Sequence, residues 1–360
     1  MPPGPLNRKD THMIRTRMTD LLGITYPILE GGMALAGNGE LAAAVSNGGG
    51  LGVVSSNPGG SPVPERIDNV RRHLRAARRL TDKPLGANVP LQNIGDFADR
   101  HTDMLIAERV SVVVTSGGNP KAFTAKLKAA GITVGHVVGN LKQALGAEKA
   151  GVDFVVCEGY EAGGIESPDE LTTLVFTPLV AERLAIPVVA AGGFADGRGL
   201  LAALALGAEG IQMGSAFLAT TECHVHQNVK QAIVDAQDAA TVMTRRSMGT
   251  LSRVLKTDFT LHMQALDQRG AVDELEALLR AAAHLCSGVE ISSQYRGQMR
   301  GDLVTGESAA GQSVALVKQV QSASSLVRQV AREAEQQLAL LQRHFAAAQK
   351  PVWLSEPVSD

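Results

Sequence analysis

Glycine pairs set after short apolar runs are the first feature of this 360-residue chain that could do chemistry. Gly31-Gly32, Gly117-Gly118, Gly163-Gly164 and Gly192-Gly193 all follow such runs. Glycine is the residue that lets backbone approach a ligand closely or turn with φ above zero. The most specific stretch runs Pro187-Val-Val-Ala-Ala-Gly-Gly-Phe-Ala-Asp-Gly-Arg-Gly199 and continues to Gly210-Ile-Gln-Met-Gly-Ser215. Two apolar strands ending in Gly192-Gly193 and Gly214-Ser215, with a helix starting near Asp196, offer free backbone N–H groups and a hydroxyl. That combination is an anion site, suited to a phosphate. His136, at the end of another apolar run, is a candidate for moving a proton. His224 and His226 flank Cys223, but no third cluster of ligands accompanies them, so a metal site is not expected.

Elements that could hold these turns alternate steadily. Strands are expected at 26–32, 51–56, 84–88, 110–115, 133–138, 154–158, 187–191 and 210–214. Helices such as 40–46, 64–80, 121–130, 141–149, 179–184 and 200–206 fall between them. Strand–helix alternation implies a parallel sheet, and eight such units imply an α/β (β/α)8 TIM barrel in preference to an open sheet. The anion site then follows strands seven and eight, where barrels often hold phosphate. Residues 216–305 carry no strand-like runs and read as a helical lid domain inserted after strand eight. Residues 306–350 return to the barrel, with Ala334, Leu338, Leu341 and Phe345 on one packing face of its closing helix. Residues 1–13 read as a loose extension.

The hydrophobic fraction of 44% with only 3% aromatics gives an aliphatic core, as a sheet buried on both faces requires. A net charge of −2 supplies no footprint for nucleic acid or an anionic membrane. Three widely separated cysteines, Cys157, Cys223 and Cys286, make neither a disulfide framework nor a zinc knuckle. No apolar run has the length of a membrane span, and no signal-peptide core is seen. The expectation is a cytoplasmic protein acting on a small molecule, with a homodimer compatible with the sequence.

Several of these stretches resemble the nitronate monooxygenase (2-nitropropane dioxygenase) family, which includes flavin-dependent NADH:quinone reductases and a class of enoyl-acyl-carrier-protein reductases. They are Gly192-Gly-Phe-Ala-Asp-Gly-Arg-Gly-Leu200, Ala205-Leu-Gly-Ala-Glu-Gly-Ile-Gln-Met-Gly-Ser-Ala-Phe217 and Thr221-Glu-Cys223. The likeness extends back to Arg15-Thr-Arg-Met-Thr19 and Ala43–Leu51, and forward to Gly306-Glu-Ser-Ala-Ala-Gly-Gln312. It implies noncovalent FMN at the C-terminal ends of the barrel strands. By the resemblance, Gly31, Gly32 and Met33 lie beside the flavin ring, Asn88 hydrogen-bonds near it, and Gly163 and Gly164 pack close by. Gly192, Gly193, Gly214 and Ser215 take the phosphate, and Gln312 reaches the substrate pocket.

Two departures bear on activity. Relatives typically carry Gln where this chain has Glu30, and a His where it has Ile165. That His serves as a base or substrate-binding group, and an isoleucine does neither. Glu161 and Glu166 read as solvated loop acids, with Glu166 and His136 the candidates to replace the imidazole. Three readings follow. The first is nitronate oxidation with oxygen as acceptor. The second is reduction of a quinone or enoyl thioester by NAD(P)H docking transiently at the same FMN. The third is flavin binding without the family's catalysis. A preformed nitronate needs no base, so discrimination against neutral nitroalkanes is expected.

Overall fold

The computed structural model describes residues 14–61, 65–91, 96–286 and 289–347; the expected extension at 1–13 lies outside them. Strands β1 (Ile28–Glu30), β2 (Gly52–Val54), β3 (Leu85–Pro90), β4 (Val112–Ser116), β5 (Thr133–Val138) and β6 (Phe154–Glu158) come first. After a two-residue strand, β7 (Gly164–Ile165), come β8 (Val188–Ala191) and β9 (Ile211–Met213). All except β7 form one parallel sheet in the order β1-β9-β8-β6-β5-β4-β3-β2. A parallel bridge between Leu29 and Leu51 joins its two ends and closes the barrel.

Aliphatic strands buried on both faces divide their side chains between two cores. Leu29, Leu51, Val53, Val112, Val114, Phe154, Val156, Val189 and Ala191 fill the barrel interior. A Cβ on Gly135 would lie 2.2 Å from the Phe154 ring, so this glycine makes room for the one large ring inside. Helix α1 (Arg17–Leu22), started by a Thr16 capping box, plugs the N-terminal end with Met18 and Leu22. Arg17 N and Nε bond the Glu209 carboxylate at 2.9 and 2.8 Å, fixing that plug to the loop before β9. The opposite, C-terminal end stays open.

Helices α2 (Gly39–Gly48), α3 (Arg66–Leu80), α4 (Asp96–Ala107), α5 (Lys121–Ala129), α6 (Leu141–Lys149), α7 (Thr173–Ala181) and α8 (Gly197–Ala205) follow their strands. Helix α7 starts ahead of the expected 179–184, with Pro178 inside it and not before its first turn. Past β9 the segment expected as an insertion contains α9 (Ser215–Leu218), α10 (Gln227–Val234), β10 (Thr241–Thr244), β11 (Ser252–Leu255), α11 (Asp258–Gln268) and α12 (Val272–Ala282). It ends with β12 (His284–Cys286), β13 (Val289–Ile291) and α13 (Ser293–Arg300). The two antiparallel hairpins, β10–β11 and β12–β13, correct the reading of this region as strandless.

The returning helix α14 (Ala323–Ala347) packs on α2 and α8, filling the last position around the barrel. The expected packing stripe holds only in part. Ala334 is buried, whereas Leu338, Leu341 and Phe345 are 38%, 43% and 73% exposed, because the helix continues beyond the elements it covers. Among the described residues, no helix is long and apolar enough to cross a membrane.

Candidate active site

One cavity of about 600 Å³ occupies the C-terminal mouth of the barrel, between strand ends, the 158–170 loop, the insertion and the returning segment. Thirteen of the residues expected at the site line it: Gly31, Gly32, Met33, Asn88, His136, Gly163, Gly164, Ile165, Glu166, Gly192, Gly193, Gly214 and Ser215.

The glycines have distinct reasons to be glycine. A Cβ on Gly32 would meet Asn88 Cγ at 2.4 Å, so the β1 turn lies flush on the Asn88 amide. That amide donates from Nδ2 to Val114 O at 3.0 Å, leaving Oδ1 available to accept. A Cβ on Gly163 would collide with the Ala310 backbone at 2.3 Å, so Gly163 admits the returning segment as well as lining the cavity. Gly192 and Gly193 take φ of +95° and +86°, which turns the chain sharply at the end of β8. Gly214 and Ser215 end β9 and open α9. Ser215 Oγ accepts from Gly311 N at 2.8 Å, tying this turn to the returning segment.

Two expected contributions are corrected. Gln312 is exposed and does not line the cavity; Gly311 and Ser313 on either side of it do. The tight 3-10 turn at Gln312–Leu316 aims its side chain outward while Gln312 N bonds Glu161 O at 2.9 Å. The N-terminus of α8 is not on the cavity either. Asp196 caps it, accepting from Gly199 N at 3.1 Å, and lines a separate groove. Replacing Asp196 with Ala should cost about 1 kcal/mol, the usual worth of such a cap, with cofactor content unchanged. Thermal melts beside flavin absorbance check this; loss of bound flavin would place α8 in the site after all.

The loop acids also differ from expectation. Residues Gly164 and Ile165 pair with Arg253 and Ser252 of β11, and Glu166 N bonds Leu251 O at 2.9 Å. This cross-strand clamp leaves Ile165 58% exposed at the cavity mouth and buries Glu166. Burial and the neighbouring Glu158 raise the Glu166 carboxyl well above the usual carboxylate range. Burial likewise raises Glu158, which ends β6 on the cavity wall. Glu161 is committed elsewhere, accepting from the Thr173 N–H and hydroxyl at 2.9 Å each. His136 is buried, with Nδ1 2.8 Å from Thr115 Oγ1. Burial pushes its pKa down to about 4, so it is neutral at pH 7.

Sequence reasoning missed Glu158, Gln212, Arg245, Gln294, Gln298 and Glu307, all on the cavity wall. Glu158 and Gln212 had a signal, since each is a polar residue in or ending an apolar strand. Arg245, Gln294 and Gln298 had none, because only the fold of the insertion brings them there. Arg245 pairs with Glu307, whose Oε1 also accepts from Ser293 Oγ at 2.6 Å.

No group of three His, Cys, Asp or Glu among the described residues is arranged to hold a metal. His224 lies 3.7 Å from Glu40 Oε2, and His226 caps α10 by accepting from Asn228 N at 3.1 Å. Cys157 and Cys223 are both buried and unpaired.

The nitronate monooxygenase family model matches residues 15–333. A Rhodococcus jostii protein, (3aS,4S,5R,7aS)-5-hydroxy-7a-methyl-1-oxo-octahydro-1H-indene-4-carboxyl-CoA dehydrogenase, is 36% identical over 270 residues, 75% of this chain and 73% of its own. A probable nitronate monooxygenase of Staphylococcus aureus is 30% identical, over 79% of this chain and 91% of its own. Among solved structures, FabK from Thermotoga maritima superposes with a TM-score of 0.82 at 38% identity, covering 92% of this chain and all (100%) of its own. A nitroalkane oxidase from Streptomyces ansochromogenes gives a TM-score of 0.72 at 26% identity, covering 90% and 99%.

Proposed function

The chain belongs to the nitronate monooxygenase family of oxidoreductases, and from that premise we propose that it is an FMN-dependent enzyme oxidising nitronate-like small molecules with oxygen as acceptor. The observation that carries this reading is a cavity of about 600 Å³ at the barrel mouth, lined both by the turns Gly192-Gly193 and Gly214-Ser215, which would cradle the phosphate, and by Gly31, Gly32, Met33 and Asn88, which would form the slot for the ring. The residues suit the cofactor. A Cβ at Gly214 would meet nothing closer than Met33 Sδ at 3.8 Å, so the space beside the cradle is open. Gly193, Gly214 and Ser215 would hold the phosphate. Gly31, Gly32 and Met33 would flank the ring, and Asn88 Oδ1 would accept from its polar edge. Bound there, FMN supplies the two-electron chemistry; the protein supplies binding, orientation and exclusion of water.

Around that slot the chain's own groups divide the labour. The Arg245–Glu307 pair with Gln294 and Gln298 offers polar anchoring for a substrate head group. Ile165 and Val254 give an apolar wall. The insertion, residues 216–305, acts as a lid domain, supported by the cavity residues it contributes from β11 and α13.

A second reading, reduction of an enoyl thioester with NAD(P)H, is favoured by one feature of the site. Burial raises the Glu166 carboxyl well above the usual carboxylate range, and a reduced carbon–carbon double bond must receive a proton, which such a carboxyl can donate. The likeness to the indene-carboxyl-CoA dehydrogenase of Rhodococcus jostii supports thioesters as the substrate class. Purified protein is expected to be yellow and to release FMN on denaturation. Mixed anaerobically, ethylnitronate is expected to bleach the flavin faster than NADH or NADPH does. A colourless protein that FMN cannot reconstitute would sink the cofactor. Bleaching by NAD(P)H alone would replace the first reading with the second.

A further inference from the structure

We propose that Glu166, on the cavity wall together with Glu158, is the acid–base group of this site and takes over the task of the imidazole that Ile165 lacks. The inference rests on the flavin reading and deepens it. Four independent observations converge. Glu166 lines the cavity although it is only 6% exposed. Its Oε1 has no hydrogen-bond partner, which is costly for a buried oxygen with no task. The β7–β11 pairing fixes its backbone, with neighbours in a strand on opposite faces, so Ile165 is turned out and Glu166 in. Finally, the cluster contains a buried countercharge.

That countercharge is Arg253, 3% exposed, on β11. Its guanidinium donates to Tyr160 O at 2.8 and 3.2 Å and to Thr241 Oγ1 at 3.3 Å. It lies over the Tyr160 ring, 4.6 Å from the centroid. Arg253 is close enough to Glu166 to favour its ionised form, while Glu158 and Glu161 oppose it. Glu161 is engaged with Thr173, His136 on β5 is neutral, and Arg245 and Glu307 neutralise one another. One guanidinium therefore balances one negative charge on the Glu158–Glu166 pair, and the second carboxyl keeps its proton. Two like charges sharing a buried site cannot both ionise readily.

The resulting step balances without a further reactant. The Cα–H bond of a neutral nitroalkane breaks, its proton forms an O–H bond on the carboxylate of the pair, and the electron pair stays on the substrate as the nitronate. The nitronate is then the species consumed by the proposed oxidation. The pair returns to its single negative charge by losing the proton to water. Because the base must be ionised, the nitroalkane-driven rate rises with pH as the pair ionises.

The test compares wild type, Glu166→Gln and Glu166→Asp, each loaded with FMN, using freshly dissolved neutral nitroethane and preformed ethylnitronate under anaerobic stopped flow. Glu166→Gln is expected to slow bleaching by nitroethane by about 10²–10⁴-fold, the usual share of a positioned base, and to change the ethylnitronate rate by less than about threefold. Glu166→Asp should recover part of the nitroethane rate and retain its rise with pH. A readout free of cofactor accompanies this. The infrared spectrum of apoprotein at neutral pH should lose one protonated-carboxyl band in Glu166→Gln. Equal losses on both probes, or an unchanged nitroethane rate, would overturn the assignment, as would an unchanged carboxyl band. Failure to bind FMN would instead strike at the flavin reading and leave the infrared result to decide the shared proton.

Discussion

Gly214→Glu is expected to yield a folded, colourless protein with FMN affinity lowered by about 10³-fold. Gly214 has an ordinary φ of −117°, so a side chain there strains no backbone. Its Cβ would meet only the Met33 side chain, Sδ at 3.8 Å and Cγ at 3.9 Å. The added carboxylate therefore extends into the open cradle formed with Gly193 and Ser215. There it would stand at close range against the phosphate of the proposed FMN. Like charges about 4 Å apart repel by about 4 kcal/mol at an effective dielectric of 20, which is about a thousandfold in binding. Lost volume in the cradle adds to this. Gly192 would be a poorer choice, because its φ of +95° and a Cβ 2.7 Å from Gly159 O would strain the fold itself. Flavin absorbance per polypeptide, an FMN fluorescence titration and a circular-dichroism melt of the apoprotein give the answer. Binding within threefold of wild type would move the phosphate away from this turn.

The barrel was legible in the sequence because its strands are buried on both faces and read as short apolar runs. Those at 133–138 and 154–158 match the structure residue for residue. The glycine turn after β8 was legible because φ near +90° at Gly192 and Gly193 leaves little choice of residue. What was hidden depends on contacts between distant segments. Strand β7 has two residues, and its partners Ser252 and Arg253 lie in the insertion. No local pattern announces that pairing, so Glu166 looked like a solvated loop acid when it is in fact buried. Gln312 fell into the same gap: the returning segment does reach the cavity, but which of its side chains points inward is decided by a 3-10 turn. The stripe at Leu338, Leu341 and Phe345 has helical period, yet period alone does not say whether a neighbour is present.

Glu30→Gln should stabilise the protein, and only above the normal titration range of a carboxyl. Glu30 is fully buried at the end of β1 and does not line the cavity. Its Oε2 accepts from Val53 N at 3.0 Å, while Oε1 has no partner. Burial holds its pKa well above the ordinary value, and the Val53 hydrogen bond offsets this only partly. The buried Cys223 thiol is near enough for Glu30 to help raise its pKa as well. A carboxyl whose folded-state pKa is raised keeps its proton in the native protein and loses it in the unfolded chain. Between the unfolded pKa, about 4.3, and the folded one, the native state therefore binds more protons, and stability falls as pH rises. Glutamine is neutral at every pH, keeps an oxygen for Val53 N and is free of this loss. At pH 4 the two proteins should melt together. Above the unfolded pKa the gap should open by about 1.4 kcal/mol for each pH unit until the folded carboxyl ionises, which is about 2 °C in Tm per unit for a chain of this size. Melts of both proteins, saturated with FMN and taken from pH 4 to pH 9, measure the opening gap. Parallel curves at all pH values, or a less stable variant at pH 8, would mean that Glu30 is ionised in the fold and has a positively charged partner.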